Sequence, residues 1–305
     1  MRPYSKSLIC ASTIGLLAGC LTLGAGAGSN SEASEEDQNV LILTGVVRDF
    51  KERTIEGGHP DFERQPNSGF GHYVKNINQE LGSDGKPAFD GGGRKLKRQF
   101  KNSSGDPICW SVFDSSRGDI PGRYGSYDNG GISTEDSFNM WFNDVLGVNM
   151  SRTLELELDK QADGSFVFDS NSAEWCQQVG GFFPIENQLF GNSAPRSNAP
   201  DRNFHFTFEL HTEFTYDANG AQVFTFRGDD DVWVFIDDQL VIDVGGVHNA
   251  VEQSIELDRL ELKDGDVYRL SFFFAERHRT ESNFRIQTNL KLETVNLPTV
   301  TAAYD

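Results

Sequence analysis

Residues 204–210 have the sequence FHFTFEL, in which apolar and polar side chains alternate without a break. Successive side chains of a β-strand point to opposite faces, so a period of two predicts a strand with one apolar face. Phe206, Phe208 and Leu210 would line that face, and the polar residues between them would face away from the core. The segment therefore predicts a half-buried strand.

The same period appears elsewhere in the chain. Leu154, Leu156 and Leu158 alternate with acidic residues, and Phe166 and Phe168 follow an Ala-Asp-Gly turn, which predicts a β-hairpin. Further strand candidates lie at residues 40–50, 223–227, 232–236, 240–242, 254–257, 267–274 and 284–292.

Residues 232–236 are apolar without interruption and are bounded by aspartates. Such a run predicts a central strand that is buried on both faces. Short strands recur along the second half of the chain with turn residues between them and little helical pattern. We therefore predict an all-β fold, an antiparallel β-sandwich.

One short helix is expected beside these strands. Residues 138–149 place apolar side chains at i, i+3, i+4 and i+7, with Asp136 as a candidate cap. Before it, residues 51–135 show weak periodicity and much Gly, Asn and Asp. We expect this stretch to be a loop-rich N-terminal extension that wraps the sandwich, because it has too few periodic apolar positions for its own core.

The first 27 residues have the pattern of a signal peptide. Arg2 and Lys6 precede an apolar stretch that ends in small residues. Residues 17–20 (LAGC) match a lipobox, which would place cleavage before Cys20 and a lipid on it, whereas residues 25–27 (AGA) offer an ordinary cleavage site. Both readings predict export, either as an outer-membrane or cell-surface lipoprotein or as a secreted protein.

Polar segments flank the expected folded region. Residues 28–39 are rich in Ser, Glu and Asn and predict a polar tether, and residues 293–305 form a C-terminal tail. Two cysteines remain between them, Cys109 and Cys176. In an oxidising compartment such a pair favours a disulfide, and the alternative is two buried thiols.

The formal net charge of −19 restricts the partners of the chain. An acidic surface repels phosphate backbones, so nucleic-acid binding is not expected, whereas divalent cations would be attracted. A membrane contact is expected only through the possible lipid anchor. The chain also lacks a His-Glu-x-x-His sequence, a Gly-x-Ser-x-Gly elbow and a phosphate-binding glycine loop. We therefore do not expect an enzyme.

The acidic loop, Gly228-Asp229-Asp230-Asp231, lies between two predicted strands. Three consecutive carboxylates repel one another, and either water or a cation can relieve that repulsion. Calcium prefers carboxylate, carbonyl and water oxygens, so adjacent aspartates on a tight loop suit it. A solvated turn remains the alternative, because Asp favours turns for other reasons.

Three motifs around this loop resemble one family. DDDVWVFID at residues 229–237, GGVH at 245–248 and FFFAERH at 272–278 are similar to the fibro-slime family. That family resembles a branch of the β-sandwich module named after anthrax protective antigen. The resemblance covers residues 40–292, with the protective-antigen-type core at about residues 137–292.

The resemblance implies a calcium site and a sugar ligand. Calcium-dependent lectins of the wider module hold the metal on a paired-Asp loop, sometimes across a cis peptide, and the matching pair here is Asp229-Asp230, with Asp231 in support. A second loop completes such sites. Candidates for that loop and its surroundings are Asp237, Asp243, His248, Asn249, Glu276, His278 and Asn283.

The expected function is calcium-dependent carbohydrate binding or adhesion by an exported protein. The expected partner is an extracellular glycan or matrix polysaccharide, and surface proteins are further candidates. The alternative is a structural slime or matrix component in which calcium only staples the fold.

Overall fold

The computed structural model describes residues 39–193 and 201–294. The predicted signal peptide with Cys20, nearly all of the tether, and most of the tail lie outside these residues. Within the described ranges, no helix has the length and apolar character that a membrane span requires.

The described chain consists mainly of β-strands with two short α-helices. The strands are β1 Val40–Phe50, β2 Tyr73–Val74, β3 Ile77–Leu81, β4 Pro87–Phe89, β5 Arg94–Arg98, β6 Phe100–Lys101, β7 Pro107–Ile108, β8 Arg123–Tyr127, β9 Asn149–Lys160, β10 Phe166–Asp169, β11 Phe206–Thr215, β12 Val223–Gly228, β13 Asp231–Ile236, β14 Gln239–Val244, β15 Val251–Glu256, β16 Val267–Glu276, β17 Phe284–Thr288 and β18 Leu292–Thr294. The helices are α1 Glu135–Phe138 and α2 Glu174–Val179.

Thirteen strands form one large antiparallel sheet, in the order β15-β12-β17-β10-β9-β1-β11-β16-β13-β14-β3-β4, with β18 also paired to β11. The sheet curls, so that its two halves share one apolar core. Phe224 and Ile286 come from one half of the sheet, and Phe208 and Phe272 come from the other. The predicted all-β, antiparallel sandwich is confirmed.

The strand predicted at residues 204–210 is confirmed from Phe206 onward, as the start of β11, but it is buried on both faces. Phe206, Phe208 and Leu210 lie in the main core as expected. The polar face is also covered, because Thr207 donates a hydrogen bond to Trp141 O at 2.6 Å. Glu209 is buried there as well and forms an ion pair with Arg48.

The outer cover comes from the N-terminal extension. A second apolar cluster lies on the outer face of β13, β14 and β16, and it joins sheet residues to residues 77–142 of the chain. Its members are Ile77, Cys109, Ile132, Phe138, Trp141, Phe142, Trp233, Phe235, Leu240, Phe273 and Ala275. As a result β13 is buried on both faces, as its uninterrupted apolar sequence predicts.

The expected helix at residues 138–149 is wrong. The helix α1 ends at Phe138, and its cap is Thr134 rather than Asp136. The chain then turns irregularly, because the Asn149 side chain bonds the backbone in place of a helical ladder. Its Nδ2 donates to Met140 O and Asn143 O at 3.1 and 2.8 Å, and its Oδ1 accepts from Val145 N at 3.0 Å.

The expected disulfide is also wrong. Cys109 and Cys176 are both free and buried. Cys176 lies in the main core, whereas Cys109 lies in the outer cluster, so the two thiols occupy different cores of the sheet. Burial raises the pKa of each thiol to about 12, and the two-thiol alternative holds.

Candidate functional site

The acidic loop carries the chain from one half of the sheet to the other. Gly228 ends β12, which pairs with β15 and β17, and Asp231 begins β13, which pairs with β14 and β16. A Cβ on Gly228 would lie 2.4 Å from Asn283 O, so only glycine allows this close approach. Asp230 has φ 57°, a conformation that Asp tolerates better than most residues, and the Asp229–Asp230 peptide is trans.

The first two aspartates accept hydrogen bonds from the loop that follows β16. Asp229 accepts from Asn283 N at 2.5 Å and from Asn283 Nδ2 at 2.7 Å. Asp230 Oδ2 accepts from the backbone N–H groups of Arg277 and His278 at 2.8 and 3.1 Å. Asp229 is 5% and Asp230 3% exposed. The predicted pair and the predicted second-loop residue Asn283 therefore meet at one point.

Asp231 is engaged by a cation from the chain itself. Its Oδ2 accepts from Arg277 Nε at 2.6 Å, and its Oδ1 accepts from Gly246 N at 2.6 Å. The Arg277 guanidinium is fully buried and also donates to Gly130 O at 2.9 Å. The Arg277 guanidinium thus balances the charge of Asp231, which leaves Asp231 outside the set that best fits a metal ion.

Glu276 completes what we call the carboxylate cluster: Asp229, Asp230 and Glu276. It is the last residue of β16 and is fully buried, yet neither of its oxygens has a hydrogen bond of good geometry in the described ranges, although the Ser282 hydroxyl and the Asp230 carboxyl lie close enough to affect its pKa. The nearby Ser282 hydroxyl donates instead to Phe182 O at 2.8 Å. A buried carboxyl without donors is a costly arrangement that requires an explanation.

The pKa values of this cluster are all raised. Burial raises the pKa of Glu276 well above its usual value, and the charges of Asp230 and Asp229 raise it further. Burial raises the pKa of Asp229 to about 6, and burial together with the charge of Asp229 raises the pKa of Asp230 to about 7. Three carboxyls in one dry site hold protons or require a cation.

The remaining candidates divide by position. His278 lies beside the carboxylate cluster through its backbone N–H, and its Nδ1 lies 3.2 Å from Glu63 Oε2. His248 forms a hydrogen bond with Asn249 O at 2.9 Å, and Asn249 is exposed. Asp243 is buried but satisfied, because it accepts hydrogen bonds from the three donors Lys75 N, Trp110 Nε1 and Trp233 Nε1.

Asp237 departs from the expectation that it flanks the acidic loop. It lies in the turn that joins β13 to β14, at the opposite end of β13 from Asp231. Six residues of strand separate the two ends by about 20 Å. That distance removes Asp237 from the candidate set.

A second cluster was missed by the sequence reasoning. The Glu63 cluster consists of Glu52, Glu63, His205 and Arg279, and its Glu and His ligand atoms lie within 4.8 Å of one another. Arg279 Nη1 lies 2.5 Å from Glu52 Oε2, and Arg279 N donates to Glu63 Oε1 at 2.9 Å. Because a guanidinium already balances the charge, the geometry is that of an ion-pair network.

Comparison with known proteins agrees with the strand pattern around the loop. Residues 186–302 match the sequence model of the PA14 domain. Relatives from Dictyostelium discoideum include protein psiD, 41% identical over 162 residues, which are 52% of this chain and 30% of psiD. Protein psiR is 32% identical over 265 residues, which are 84% of this chain and 22% of psiR. The chain thus spans less than a third of the length of these relatives.

Similar solved structures include the PA14 domain of MpAFP antifreeze protein, with a TM-score of 0.22 and 15% identity over 30% of this chain and 46% of that one. A beta-glucosidase from Kluyveromyces marxianus has a TM-score of 0.21 and 16% identity over 28% of this chain and 12% of that one. The residues that match the PA14 sequence model, 186–302, include the acidic loop, Glu276 and Asn283.

Proposed function

We propose that this protein binds a calcium ion at the carboxylate cluster and uses that site to bind an extracellular glycan in adhesion. The observation that carries the proposal is Glu276, whose two buried oxygens have no donor among the described residues and lie beside Asp229 and Asp230. A hard cation is the partner that such a cluster lacks.

The residue types of the cluster suit calcium, which prefers carboxylate oxygens. Asp229, Asp230 and Glu276 would hold the ion, and Asn283 lies beside them on the loop after β16. When bound, calcium would offset the repulsion among the three carboxylates and offer coordination positions to sugar hydroxyl oxygens. Arg277 would stabilise the site, because its guanidinium pairs with Asp231 and its backbone N–H donates a hydrogen bond to Asp230.

The wider assignment rests on sequence. The PA14 match and the motifs around the acidic loop support membership of the fibro-slime family for residues 40–292. The N-terminal pattern supports export, with Cys20 as the lipidated residue if the lipobox is used. The role we propose is binding at a cell surface or in a secreted matrix, without catalysis.

One observation favours a structural alternative. The three aspartates of the acidic loop are 5%, 3% and 0% exposed, so an ion among them has little open surface for a sugar. In that case the protein would be a slime or matrix component in which calcium only fastens the acidic loop to the loop after β16.

Thermal unfolding tests the metal. Wild type and Asp230→Asn would be melted in calcium and in chelator, and we expect calcium to raise the Tm of wild type but not that of the variant. Wild type with the same Tm in both buffers would contradict the calcium site.

A glycan array separates the two functions. The glycan-binding proposal expects signals that appear in calcium, disappear in chelator and are competed by free sugar. A calcium-dependent Tm without any array signal supports the structural alternative instead.

A further inference from the structure

A polar cleft of about 370 Å³ lies in the N-terminal extension, outside the residues that match the PA14 domain. Two loops form most of it, residues 64–67 and residues 127–133. No part of the proposed calcium site lines this cleft.

An exposed aromatic ring stands at the cleft. Tyr127 is 77% exposed, which is unusual for so large a side chain. The Arg94 guanidinium lies over its ring, 3.8 Å from the centroid. This cation–π contact fixes one face of the ring. Rigid aromatic rings supply contact area at little cost in conformational entropy, so the exposed surface of Tyr127 is suited to stacking.

The walls of the cleft are held in place before any ligand arrives. Arg64 Nη1 donates to Ser133 Oγ at 3.0 Å, which ties one loop to the other. The Asp128 carboxylate accepts from Ser68 N at 2.5 Å and from Gly130 N at 3.1 Å. With these groups engaged, the residues with side-chain amides that line the cleft are Gln65, Asn67 and Asn129. Neutral amides beside an aromatic ring match the hydroxyls and the apolar face of a pyranose.

Arg277 connects the cleft to the acidic loop. Its Nη2 donates to Gly130 O at 2.9 Å, and a Cβ on Gly131 would lie 3.1 Å from its Nη1. The same guanidinium donates through Nε to Asp231. One buried residue therefore contacts both the loop that lines the cleft and, through its backbone N–H, Asp230 of the proposed calcium site.

We propose that the cleft is a second sugar subsite, in which the ring of Tyr127 stacks on a pyranose unit of an oligosaccharide whose other end binds at the calcium site. This inference rests on the proposed glycan-binding function and extends it: the extension that precedes the PA14 match selects for chain length. Monosaccharides need only the calcium site, whereas longer glycans use both.

The test compares monosaccharide and tetrasaccharide probes on one glycan array in calcium. The proteins are wild type, Tyr127→Ala, Tyr127→Phe and, as a surface control, Leu146→Ala, since Leu146 is 84% exposed. We expect Tyr127→Ala to weaken tetrasaccharide binding about tenfold. Its monosaccharide binding and calcium-dependent Tm should equal those of wild type, and Tyr127→Phe and the control should bind as wild type.

The outcomes separate the two proposals. If Tyr127→Ala binds both probes as wild type does, the subsite is overturned while calcium-dependent glycan binding stands. An equal loss for both probes would place Tyr127 in the primary site and overturn a separate subsite. If wild type binds no probe, glycan binding itself fails and the subsite fails with it.

Discussion

The segment at residues 276–279 contributes to two buried acidic clusters, Glu276 to the carboxylate cluster and Arg279 to the Glu63 cluster. The two clusters differ in how their negative charge is balanced. In the Glu63 cluster, Arg279 supplies a guanidinium to Glu52 and a backbone N–H to Glu63. In the carboxylate cluster, Glu276 has no donor in the described ranges. The Glu63 cluster contains a basic side chain, Arg279, whereas the carboxylate cluster contains none.

The pKa directions express the same difference. Burial alone would raise the pKa of Glu63, but hydrogen bonds from His205 and His278 outweigh it and lower the pKa. In the carboxylate cluster burial is not outweighed, and all three pKa values are raised. Burial of acids therefore does not mark a binding site by itself, and it is the lack of donors to Glu276 that supports the proposed calcium site.

Removal of the Arg279 guanidinium should have the largest effect on the free energy of unfolding. Arg279→Leu would leave Glu52 and Glu63 without the guanidinium, and we expect the free energy of unfolding to fall by about 3–5 kcal/mol. Urea denaturation measures it. The matched control is Arg117→Leu, which breaks an exposed pair with Asp258 and should cost about 1 kcal/mol or less. Equal losses in the two variants would contradict the distinction between the clusters.

The same substitution should act with opposite sign in the two clusters. In chelator, Glu63→Gln should lower the free energy of unfolding by about 1–3 kcal/mol, because it removes a carboxylate that has donors. Glu276→Gln should raise the free energy of unfolding by about 1 kcal/mol, because it removes a carboxyl group that has no hydrogen-bond donors and is repelled by its neighbours. Urea denaturation of both variants checks this, and destabilisation by Glu276→Gln in chelator would rule out the repulsion that we infer.

The sequence predicted the strands and the paired-Asp loop because both signals are local. The alternation at residues 204–210 and the motif at residues 229–237 can be read in a single stretch of chain. The Glu63 cluster left no such signal, since Glu52 and Glu63 lie in an irregular segment and meet Arg279 only in the fold.

The failures have specific physical causes. Asp237 is close to Asp231 in sequence, but the extended strand between them places Asp237 beyond the far end of β13. Asp243 is acidic and buried, yet two tryptophan N–H groups already satisfy it. Asn149 is a polar residue at the end of an apolar periodic stretch. Its side-chain amide donates to backbone carbonyls that helical hydrogen bonds would otherwise use, so the helix that the period indicated does not form.

The pH dependence of stability should differ between calcium and chelator. The pKa values of Asp229 and Asp230 in the folded state, about 6 and about 7, exceed the usual 3.8. The folded protein thus binds these protons more tightly than the unfolded chain, so this contribution is present below pH 4 and is lost as pH rises toward 7.

Tm measured from pH 5 to pH 8 tests this contribution. The gain in Tm from calcium should be small at pH 5 and should grow toward pH 8. Asp49, whose pKa burial raises to about 7, has the same sign but acts equally in both buffers, so it cancels in the difference. A calcium gain that is constant across this range would contradict the raised pKa values.

The smallest effect is expected at the far end of β13. Asp237 adopts a positive φ of 51°, which Asn also tolerates. Asp237→Asn should therefore change the free energy of unfolding by less than about 0.5 kcal/mol and leave the calcium gain in Tm unchanged. A loss of that gain would place Asp237 in the proposed calcium site.

Calorimetric titration of calcium into wild type and Glu276→Gln at pH 7 measures whether the carboxylate cluster binds calcium. We predict one ion per wild-type chain, with a Kd on the order of 10⁻⁴–10⁻³ M as in extracellular calcium modules, and strongly weakened binding in Glu276→Gln. Absence of binding to wild type, or equal binding to both proteins, would contradict a calcium site at the carboxylate cluster.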